Sequence, residues 1–253
     1  DPGFSQFYVS LQDEIVRQNG LIDTEKYADG KHSISKAKLK KVINTAQKTG
    51  EEFSVMSRKN AMDYDQVMQR QRALIYATRD HLLDGEVMDF ERIKKLAKEN
   101  IKEFLESQEE YTVECLNRYI LDNISYRLEE EINPEYLSDP NKITKYLLGI
   151  VRKGLKEQEG KLEDSELMTD FLRIATLQAI DDAWVEQVDY LQQLQVAVSG
   201  RASAQRNLVY EYQRDALESF RKMEKDIKKN IIRNILLSNV YVSAEDKISI
   251  LLP

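Results

Sequence analysis

Two stripes of apolar residues near the C-terminus form the strongest pattern in the chain. Between Thr176 and Ile232, apolar residues recur every three or four positions on both sides of a short polar break at Ser199, Gly200 and Arg201. This spacing places each set on one face of an α-helix. The first set is Leu177, Ile180, Trp184, Val188, Leu191, Leu194 and Val198, and the second is Val209, Tyr212, Ala216, Phe220, Met223, Ile227 and Ile231. Because the break is short, we expect two antiparallel helices that pack their stripes together.

A third stripe predicts a very long helix upstream of this hairpin. Ser33 or Ser35 can cap its N-terminus and Gly85 can end it, while Gly50 allows a bend or break mid-way. The stripe consists of Leu39, Val42, Ile43, Ala46, Phe53, Met56, Tyr64, Val67, Leu74, Ile75 and Leu82. About 50 residues would give a rod of roughly 75 Å, too long for one compact partner to bury. We therefore expect a scaffold on which other elements pack.

Shorter helices fill the segment between the long helix and the hairpin. Amphipathic stretches cover Glu86–Gln108, Glu110–Leu128 and Ile143–Leu155, and the polar run Lys156–Ser165 follows them. We interpret residues 85–165 as a small helical subdomain inserted between the two larger elements.

The two ends of the chain carry weaker patterns. A short strand is predicted around Phe7–Ser10, followed by a helix starting near Leu11. An isolated strand cannot form a sheet, so we expect it to belong to a domain that this chain lacks. The last helix should continue to about Leu237, and Ser238–Pro253 should fray.

The composition fits a strongly helical protein of the cytosol. Of 253 residues, 42% are hydrophobic and 32% charged, and only 9 Gly and 4 Pro are present to interrupt helices. The single Cys115 excludes an internal disulfide. A net charge of -7 argues against a nucleic-acid partner. The sequence also contains neither an apolar run long enough for a membrane span nor a signal peptide.

The search for catalytic, cofactor and metal sites predicts none. Gly149–Gly154 resembles a phosphate-binding loop, but Leu155 occupies the lysine position and the pattern is helical. His32 and His81 are isolated, and Cys115 should be a buried, inert thiol. Paired acids, as at Asp181-Asp182 near the start of the hairpin, suit a solvated face or a helix N-terminus. The other acidic clusters, Glu51-Glu52, Glu109-Glu110 and Glu129–Glu131, suit a solvated helix face.

The polar break of the hairpin remains open to two interpretations. Residues 199–207, SGRASAQRN, combine small side chains with two arginines and few apolar anchors. They are typical of an ordinary turn between helices, in which Arg201 complements the C-terminal end of the preceding helix. They would also suit an exposed tip that contacts another molecule.

Several segments resemble SecA, the protein-export motor ATPase. Residues 180–194, IDDAWVEQVDYLQQL, resemble its I-D-x-x-W-x-x-H-L-D-x-M-D-x-L-R motif, and 201–205, RASAQ, resemble R-G-Y-A-Q. Glu211, Tyr212, Arg214 and Phe220 match E-Y-x-R-x-x-x-x-x-F. Matches to the long scaffold helix comprise Arg58-Lys59, Tyr64–Met68 and Gln71–Tyr76, and Asp1–Gly3 with Phe7–Leu11 resemble the end of the motor.

The resemblance implies an all-α fold with a short remnant of an α/β motor domain. It divides the chain into the end of the second helicase-like domain (1–32), the scaffold helix (33–84), a helical wing (85–165), a two-helix finger (166–237) and a tail (238–253). In SecA, the helicase-like domains hydrolyse ATP with Mg²⁺, the scaffold helix relays their motion, and the fingertip contacts the moving polypeptide. This chain would then bind no cofactor and hydrolyse no ATP alone.

The resemblance also implies site residues and partners. Contacts with substrate or channel fall at the tip, on Ser199, Gly200, Arg201, Ala202, Ser203, Ala204, Gln205 and Arg206. Coupling residues are Arg58, Tyr64, Asp65, Gln71, Arg72, Trp184 and Asp189. The partners would be the Sec channel, exported preproteins and the upstream motor domains, without nucleic acid. The expected location is the cytoplasm, in peripheral association with the cytoplasmic membrane.

Departures from the family pattern indicate the accessory type of SecA. Ser203 stands where the family has a fingertip Tyr, Gln187 replaces the hairpin His, and Gln195 replaces the closing Arg. Asn207-Leu208 replaces an Asp-Pro, and residues 1–253 do not include the Cys-rich, zinc-binding tail of housekeeping SecA. Ser203 lacks the apolar area with which an aromatic tip would hold a polypeptide.

Two other hypotheses remain. In the first, the chain is a non-enzymatic helical adaptor that binds a partner through the Trp184–Leu194 flank of the hairpin. In the second, which supplements the others, a basic helical face contacts a membrane surface. That face consists of Lys222, Lys225, Lys228, Lys229 and Arg233.

Overall fold

A computed structural model describes most of the chain and shows a helical protein. The described residues are 3, 13–19, 25–28, 33–85, 88–128, 131–162, 164–199, 208–242 and 248–253. The helices are α1 (Glu14–Asn19), α2 (Glu25–Ala28), α3 (Lys36–Leu83), α4 (Phe90–Glu106), α5 (Val113–Asn123), α6 (Pro140–Leu162), α7 (Ser165–Ser199) and α8 (Leu208–Leu237). A 3-10 turn at Pro134–Ser138 and strands β1 (Asn239–Val242) and β2 (Ile248–Leu251) complete them. The predicted all-α class is confirmed, and the strand predicted at 7–10 lies outside the described residues.

The long helix α3 begins and ends where the sequence predicted. Ser35 caps its start, because its Oγ accepts a hydrogen bond of 3.3 Å from the backbone N–H of Lys38. Its end is followed by Gly85, whose φ of 103° lies in the left-handed region that glycine adopts without strain. Gly50 does not interrupt the helix.

The chain divides into two compact units, residues 1–66 and 67–253, with the boundary inside α3. In the first unit, Val16 of α1 is buried in a cluster with Val42 and Ala46 of α3. Ile15 of α1 lies against Gly50, where a Cβ atom would clash with its Cδ1. The missing side chain of Gly50 therefore lets α1 approach the helix closely.

The middle of the α3 stripe is exposed, as expected of a helix too long for one compact partner to bury. Phe53 is 75% exposed and Met56 is 64% exposed. In the described structure, the cluster with α1 extends only to the level of Gly50, and residues 51–62 are all exposed. Periodicity identifies the apolar face of a helix, but it does not establish that another element covers it.

Helices α7 and α8 form the predicted antiparallel hairpin in the second unit. Asn234 of α8 donates a 3.1 Å hydrogen bond to the Ala175 carbonyl of α7, and Gln187 donates one of 2.9 Å to Ser219 Oγ. Both stripes are buried between the helices and their neighbours, apart from Leu177, Val188 and Val209, which are half-buried. This packing confirms the strongest sequence prediction.

Helix α6 is longer than the sequence suggested, whereas α4 and α5 are shorter than the stretches predicted for them. The polar run at 156–165 is not a connection, because α6 continues to Leu162 and α7 begins at Ser165. Gln158 explains the difference, since it continues the buried stripe of α6 and is 2% exposed. Its amide bonds to backbone carbonyls, which makes a polar residue acceptable there.

The wing helices α4, α5 and α6 pack against the base of α8. Asp89 caps α4 through a 2.7 Å bond from the Arg92 N–H, and Thr112 caps α5 through one of 3.2 Å from the Cys115 N–H. One continuous apolar core joins the wing to the hairpin; it includes Ile93, Ile101, Leu116, Ile120, Ile143, Leu147, Phe171, Ile231 and Ile235. The wing is therefore anchored on the finger rather than separated from it.

The C-terminal segment forms an antiparallel β-hairpin instead of fraying. Strand β1 pairs with β2 in a register that sets Asn239 opposite Leu251 and Val242 opposite Ile248. Val240 is buried and joins the wing core, against which Ile250 also packs. The alternation in these two short strands was the missed signal.

Candidate functional site

A buried network of side-chain amides joins α3 to both helices of the hairpin. Gln71 of α3 is 6% exposed and Gln187 of α7 is 4% exposed. The Gln71 Nε2 atom donates a 3.0 Å hydrogen bond to the Ala216 carbonyl of α8. The Gln187 Nε2 atom donates bonds of 2.9 Å to Gln71 Oε1 and to Ser219 Oγ. One side chain of the long helix is thus bonded to both finger helices.

The backbone fixes the direction of every bond in this network. The Ala216 carbonyl can only accept hydrogen bonds, so it fixes the orientation of its two donors. These donors are the side-chain amide of Gln71 and the hydroxyl of Ser219, each 3.0 Å away. Gln71 Oε1 must then accept from Gln187. Each bond contributes about 1 kcal/mol net, whereas an unpaired buried amide costs roughly 1–3 kcal/mol. The network therefore favours one alignment of the three helices over others.

An ion pair attaches α3 to α7 at a second level. Arg79 Nε lies 2.7 Å from Asp181 Oδ1, and Arg79 Nη2 lies 3.2 Å from Asp181 Oδ2. The Arg79 guanidinium also lies 5.8 Å from the ring centroid of Tyr76. Asp181 lies well inside α7, which begins at Ser165, so the interpretation of this acid as an N-terminal dipole partner is wrong. The two side chains are partly exposed, so the pair is worth at most about 1 kcal/mol.

Buried apolar residues of α3 lie between these two attachments and beyond the second. Ile75 and Leu82 of α3 are 6% and 5% exposed, and they belong to the same core as Trp184 of α7, which is 8% exposed. Moving from Gln71 to Arg79 along α3 corresponds to moving back from Gln187 to Asp181 along α7. The final part of α3 therefore runs antiparallel to α7.

The predicted coupling residues separate into two groups. Gln71, Trp184 and Tyr64 are buried, and the first two contribute to the attachment. Arg58, Asp65, Arg72 and Asp189 are exposed along their helices, and the structure does not bring them to the attachment.

The sequence analysis did not identify four residues of the attachment as coupling residues. They are Gln187, Ser219, Arg79 and Asp181. The available signal was a glutamine inside an apolar stripe: Gln187 lies three residues after Trp184 and four before Leu191. A polar side chain on the buried face of a helix requires a partner.

The predicted fingertip is described only up to its first residue. Ser199 ends α7, and its Oγ donates a 2.7 Å hydrogen bond to the Gln195 carbonyl. Close to the tip, Val198 and Tyr212 are buried at 0% and 1% exposure, so the two helices remain packed there. The other tip residues, Gly200, Arg201, Ala202, Ser203, Ala204, Gln205 and Arg206, lie outside the described residues, and their contacts remain predictions.

The basic face of α8 is partly paired with the wing. Lys228 Nζ lies 3.0 Å from Glu99 Oε2, and Lys225 forms an ion pair with Glu103 that raises the pKa of its ammonium group. The Asn100 side chain donates a 3.0 Å bond to the Lys228 carbonyl. These contacts hold α4 on α8. They also mean that two of the five basic residues proposed to contact a membrane surface are paired with acidic residues of α4.

Other candidate chemistry is limited in the described structure. Gly149–Gly154 lies inside α6, so its backbone is helical rather than a phosphate-binding loop. Cys115 is half-buried, not buried as predicted, because it lies at the edge of α5 where its thiol contacts Gln108 Oε1 at 3.2 Å. His81 lies in the last turn of α3, and His32 is not among the described residues.

Metal and membrane sites were also sought in the described part of the chain. It contains no group of three or more His, Cys, Asp or Glu placed to hold a metal ion. None of its helices combines the length and apolar character needed to cross a bilayer.

Comparison with known proteins gives consistent matches over most of the chain. The family model described as "SecA Wing and Scaffold domain" matches residues 33–239. The protein translocase subunit SecA 2 of Streptococcus sanguinis (strain SK36) is 31% identical, with 100% of this chain and 33% of the relative covered. Its counterpart from Streptococcus agalactiae serotype V (strain ATCC BAA-611 / 2603 V/R) is 33% identical, with 95% and 31% covered. The Staphylococcus aureus (strain Newman) SecA 2 subunit is 30% identical, with 97% and 32% covered. The chain therefore spans about one third of the length of these curated relatives.

Proposed function

This chain belongs to the SecA family, and we propose that it forms the mechanical part of an ATP-driven protein translocase of the accessory type. Its wing and scaffold region matches the family, and its relatives are SecA 2 subunits of protein translocases. In this proposal, the finger moves polypeptides through the Sec channel. The energy comes from ATP and Mg²⁺ bound by motor domains elsewhere in the complete protein.

The attachment of the finger to α3 is the observation that carries the proposal. Gln71 contacts both finger helices, and Arg79 adds a second connection to α7. Because these contacts lie at two levels, a displacement of this part of α3 would carry α7 and α8 together. A hairpin held in this way can transmit work that other domains generate.

The proposed division of labour leaves nucleotide chemistry outside this chain. Its closest approach to a phosphate-binding loop, Gly149–Gly154, lies within α6, where the backbone N–H groups are used in the helix. We therefore expect the chain alone to hydrolyse no ATP. The purified chain should release no phosphate above a buffer control, while the complete translocase should.

The proposed partners are the Sec channel, exported preproteins and the motor domains of the same protein. They place the chain in the cytoplasm, peripherally associated with the membrane. In the adaptor hypothesis, Trp184 and Leu194 cannot contact the partner, because each is 8% exposed, although Val185 and Tyr190 of the same segment are exposed.

Site-specific cross-linking in the complete translocase tests this proposal. A photoreactive residue at Ser203 should form adducts with preprotein or channel during ATP-driven transport. Val185, on the flank of α7 and 61% exposed, is the matched control and should form few such adducts. Adducts from Ser203 only with other domains of the translocase would contradict the proposal.

A further inference from the structure

We propose that Gln187 is a positioning residue, and that its buried amide network sets how much polypeptide moves for each ATP hydrolysed. The inference rests on the proposed function above and assigns a role to one side chain within it. In this role, Gln187 does not itself need to contact nucleotide or polypeptide. It acts through Gln71 and Ser219, which hold the long helix in register with the finger.

Stability alone does not account for an amide at this position. Gln187 lies on the apolar face of α7 and is 4% exposed. Apolar side chains at all three positions of the network would avoid the cost of removing amides from water. What the amide adds is direction, because a hydrogen bond weakens steeply as its geometry departs from the ideal. Apolar contacts tolerate small sliding movements between helices much better.

The geometry concentrates this directional restraint at one point of the finger. Gln71 accepts from Gln187 of α7 and donates to the Ala216 carbonyl of α8. That carbonyl belongs to helical backbone, so it cannot turn to follow a displaced partner. A sliding movement of α3 against either finger helix would break at least one of these bonds.

The ion pair at Arg79 cannot replace this restraint. Both side chains of the pair are partly exposed, at 33% for Arg79 and 44% for Asp181. A long guanidinium side chain can follow a carboxylate through rotamer changes, and water can satisfy both groups if they separate. The buried amides can neither follow a displaced partner in this way nor bond to water instead. The alignment of α3 with the finger helices therefore depends on the amide network.

The test measures preprotein translocated per ATP hydrolysed by the complete translocase in vesicles that contain the channel. Gln187→Met retains length and removes the hydrogen bonds. We expect the ratio to fall about two- to thirtyfold, the range found for residues that couple distant sites. Basal ATP hydrolysis should be unchanged. Gln71→Met should lower the ratio similarly, and the double variant should lower it little further, because both changes break the same bond.

Gln158 provides a matched control for the loss of a buried amide. It is 2% exposed and donates 3.4 Å and 2.9 Å bonds to the carbonyls of Leu236 and Ser238, away from α3. Gln158→Met should lower the melting temperature in the same manner as Gln187→Met and leave the ratio unchanged. Gln187→His, which restores a hydrogen-bond donor and matches the family motif, should recover most of the ratio.

The outcomes separate this inference from the proposed function. If the unaltered translocase moves no preprotein, the proposed function fails. If it does move preprotein, and Gln187→Met leaves the ratio at the value of Gln158→Met, the positioning role is wrong. Should Gln187→Met fail to fold, Ser219→Ala removes the two hydrogen bonds of the Ser219 hydroxyl, to Gln187 and to the Ala216 carbonyl, with little change in packing. An unchanged ratio in that variant would equally overturn the inference.

Discussion

At the scale of single residues, the surroundings of each side chain decide its effect on stability. The glycines of α6 illustrate this point. A Cβ atom added at Gly149 or Gly160 would meet open space, whereas one added at Gly154 would lie 3.0 Å from Leu236 Cδ2. Gly154 therefore allows α6 to pack closely on α8, and the other two only weaken the helix.

Alanine at each of these positions should separate the two effects. Gly149→Ala and Gly160→Ala should each raise the free energy of unfolding by about 0.5–1 kcal/mol, because alanine favours the helix. Gly154→Ala should gain less or destabilise, since Leu236 would have to move. Denaturant titration of the three variants measures the differences. Equal stabilisation by all three would show that α6 does not pack on α8 as described.

Tyr119 provides a pH-dependent prediction at the same scale. Its ring stacks on Phe104 with centroids 4.0 Å apart, and burial raises the pKa of its phenol above the ordinary value of 10.0. Folding thus favours the neutral phenol, and this contribution is fully present below about pH 10. It is lost as the pH rises further. Relative to the original chain, Tyr119→Phe should therefore gain stability above that pH.

The measurement compares unfolding free energies of the two proteins from pH 8 to pH 11. Other groups that titrate in this range, such as lysines, are common to both and cancel in the difference. A difference that stays constant over the whole range would mean that Tyr119 ionises as readily in the folded protein as in the unfolded one.

At the scale of helices and strands, the sequence predicted burial correctly where a helix packs against another helix along its whole apolar face. The stripes of α7 and α8 were predicted residue by residue because each helix covers the other. In α3 the same periodicity identified the apolar face but could not predict that Phe53 and Met56 are exposed, since the sequence of a helix does not state whether another element covers its apolar face. The β-hairpin was missed because four-residue strands give too short an alternation.

The candidate site was only partly predictable for a related reason. Gln71 was identified through the family resemblance, but its partners depend on how three helices align in space. Ser219 and Gln187 are 32 positions apart along the chain, and Gln71 is 116 positions from Gln187. A single sequence contains no measure of such alignment.

The two attachments of α3 should differ in how much they contribute to stability. Breaking the partly exposed Arg79–Asp181 pair by Asp181→Asn should cost at most about 1 kcal/mol, and less at high salt. Gln187→Met should cost roughly 1–3 kcal/mol regardless of salt, because it leaves buried partners unsatisfied. Denaturation at two salt concentrations tests this ranking. A larger, salt-independent loss for Asp181→Asn would reverse it.

At the scale of the whole molecule, the second unit combines wing, finger base and β-hairpin in one core. Helices α4, α5 and α6 all pack against the C-terminal half of α8. Ion pairs from Glu99 and Glu103 of α4 to α8 strengthen this packing. The base of the finger is therefore held on several sides. Such an arrangement suits an element that must transmit force without bending.

The central claim is that the finger moves the polypeptide with energy that other domains of the translocase obtain from ATP. The most direct measurement replaces residues 200–207 in the complete protein with a glycine-serine segment of equal length. ATP hydrolysis and preprotein transport are then recorded in the same reaction. The account predicts that hydrolysis persists while transport falls at least about tenfold, because ATP is bound and hydrolysed by the motor domains and not at the tip. Undiminished transport, or a parallel loss of transport and hydrolysis, would contradict it.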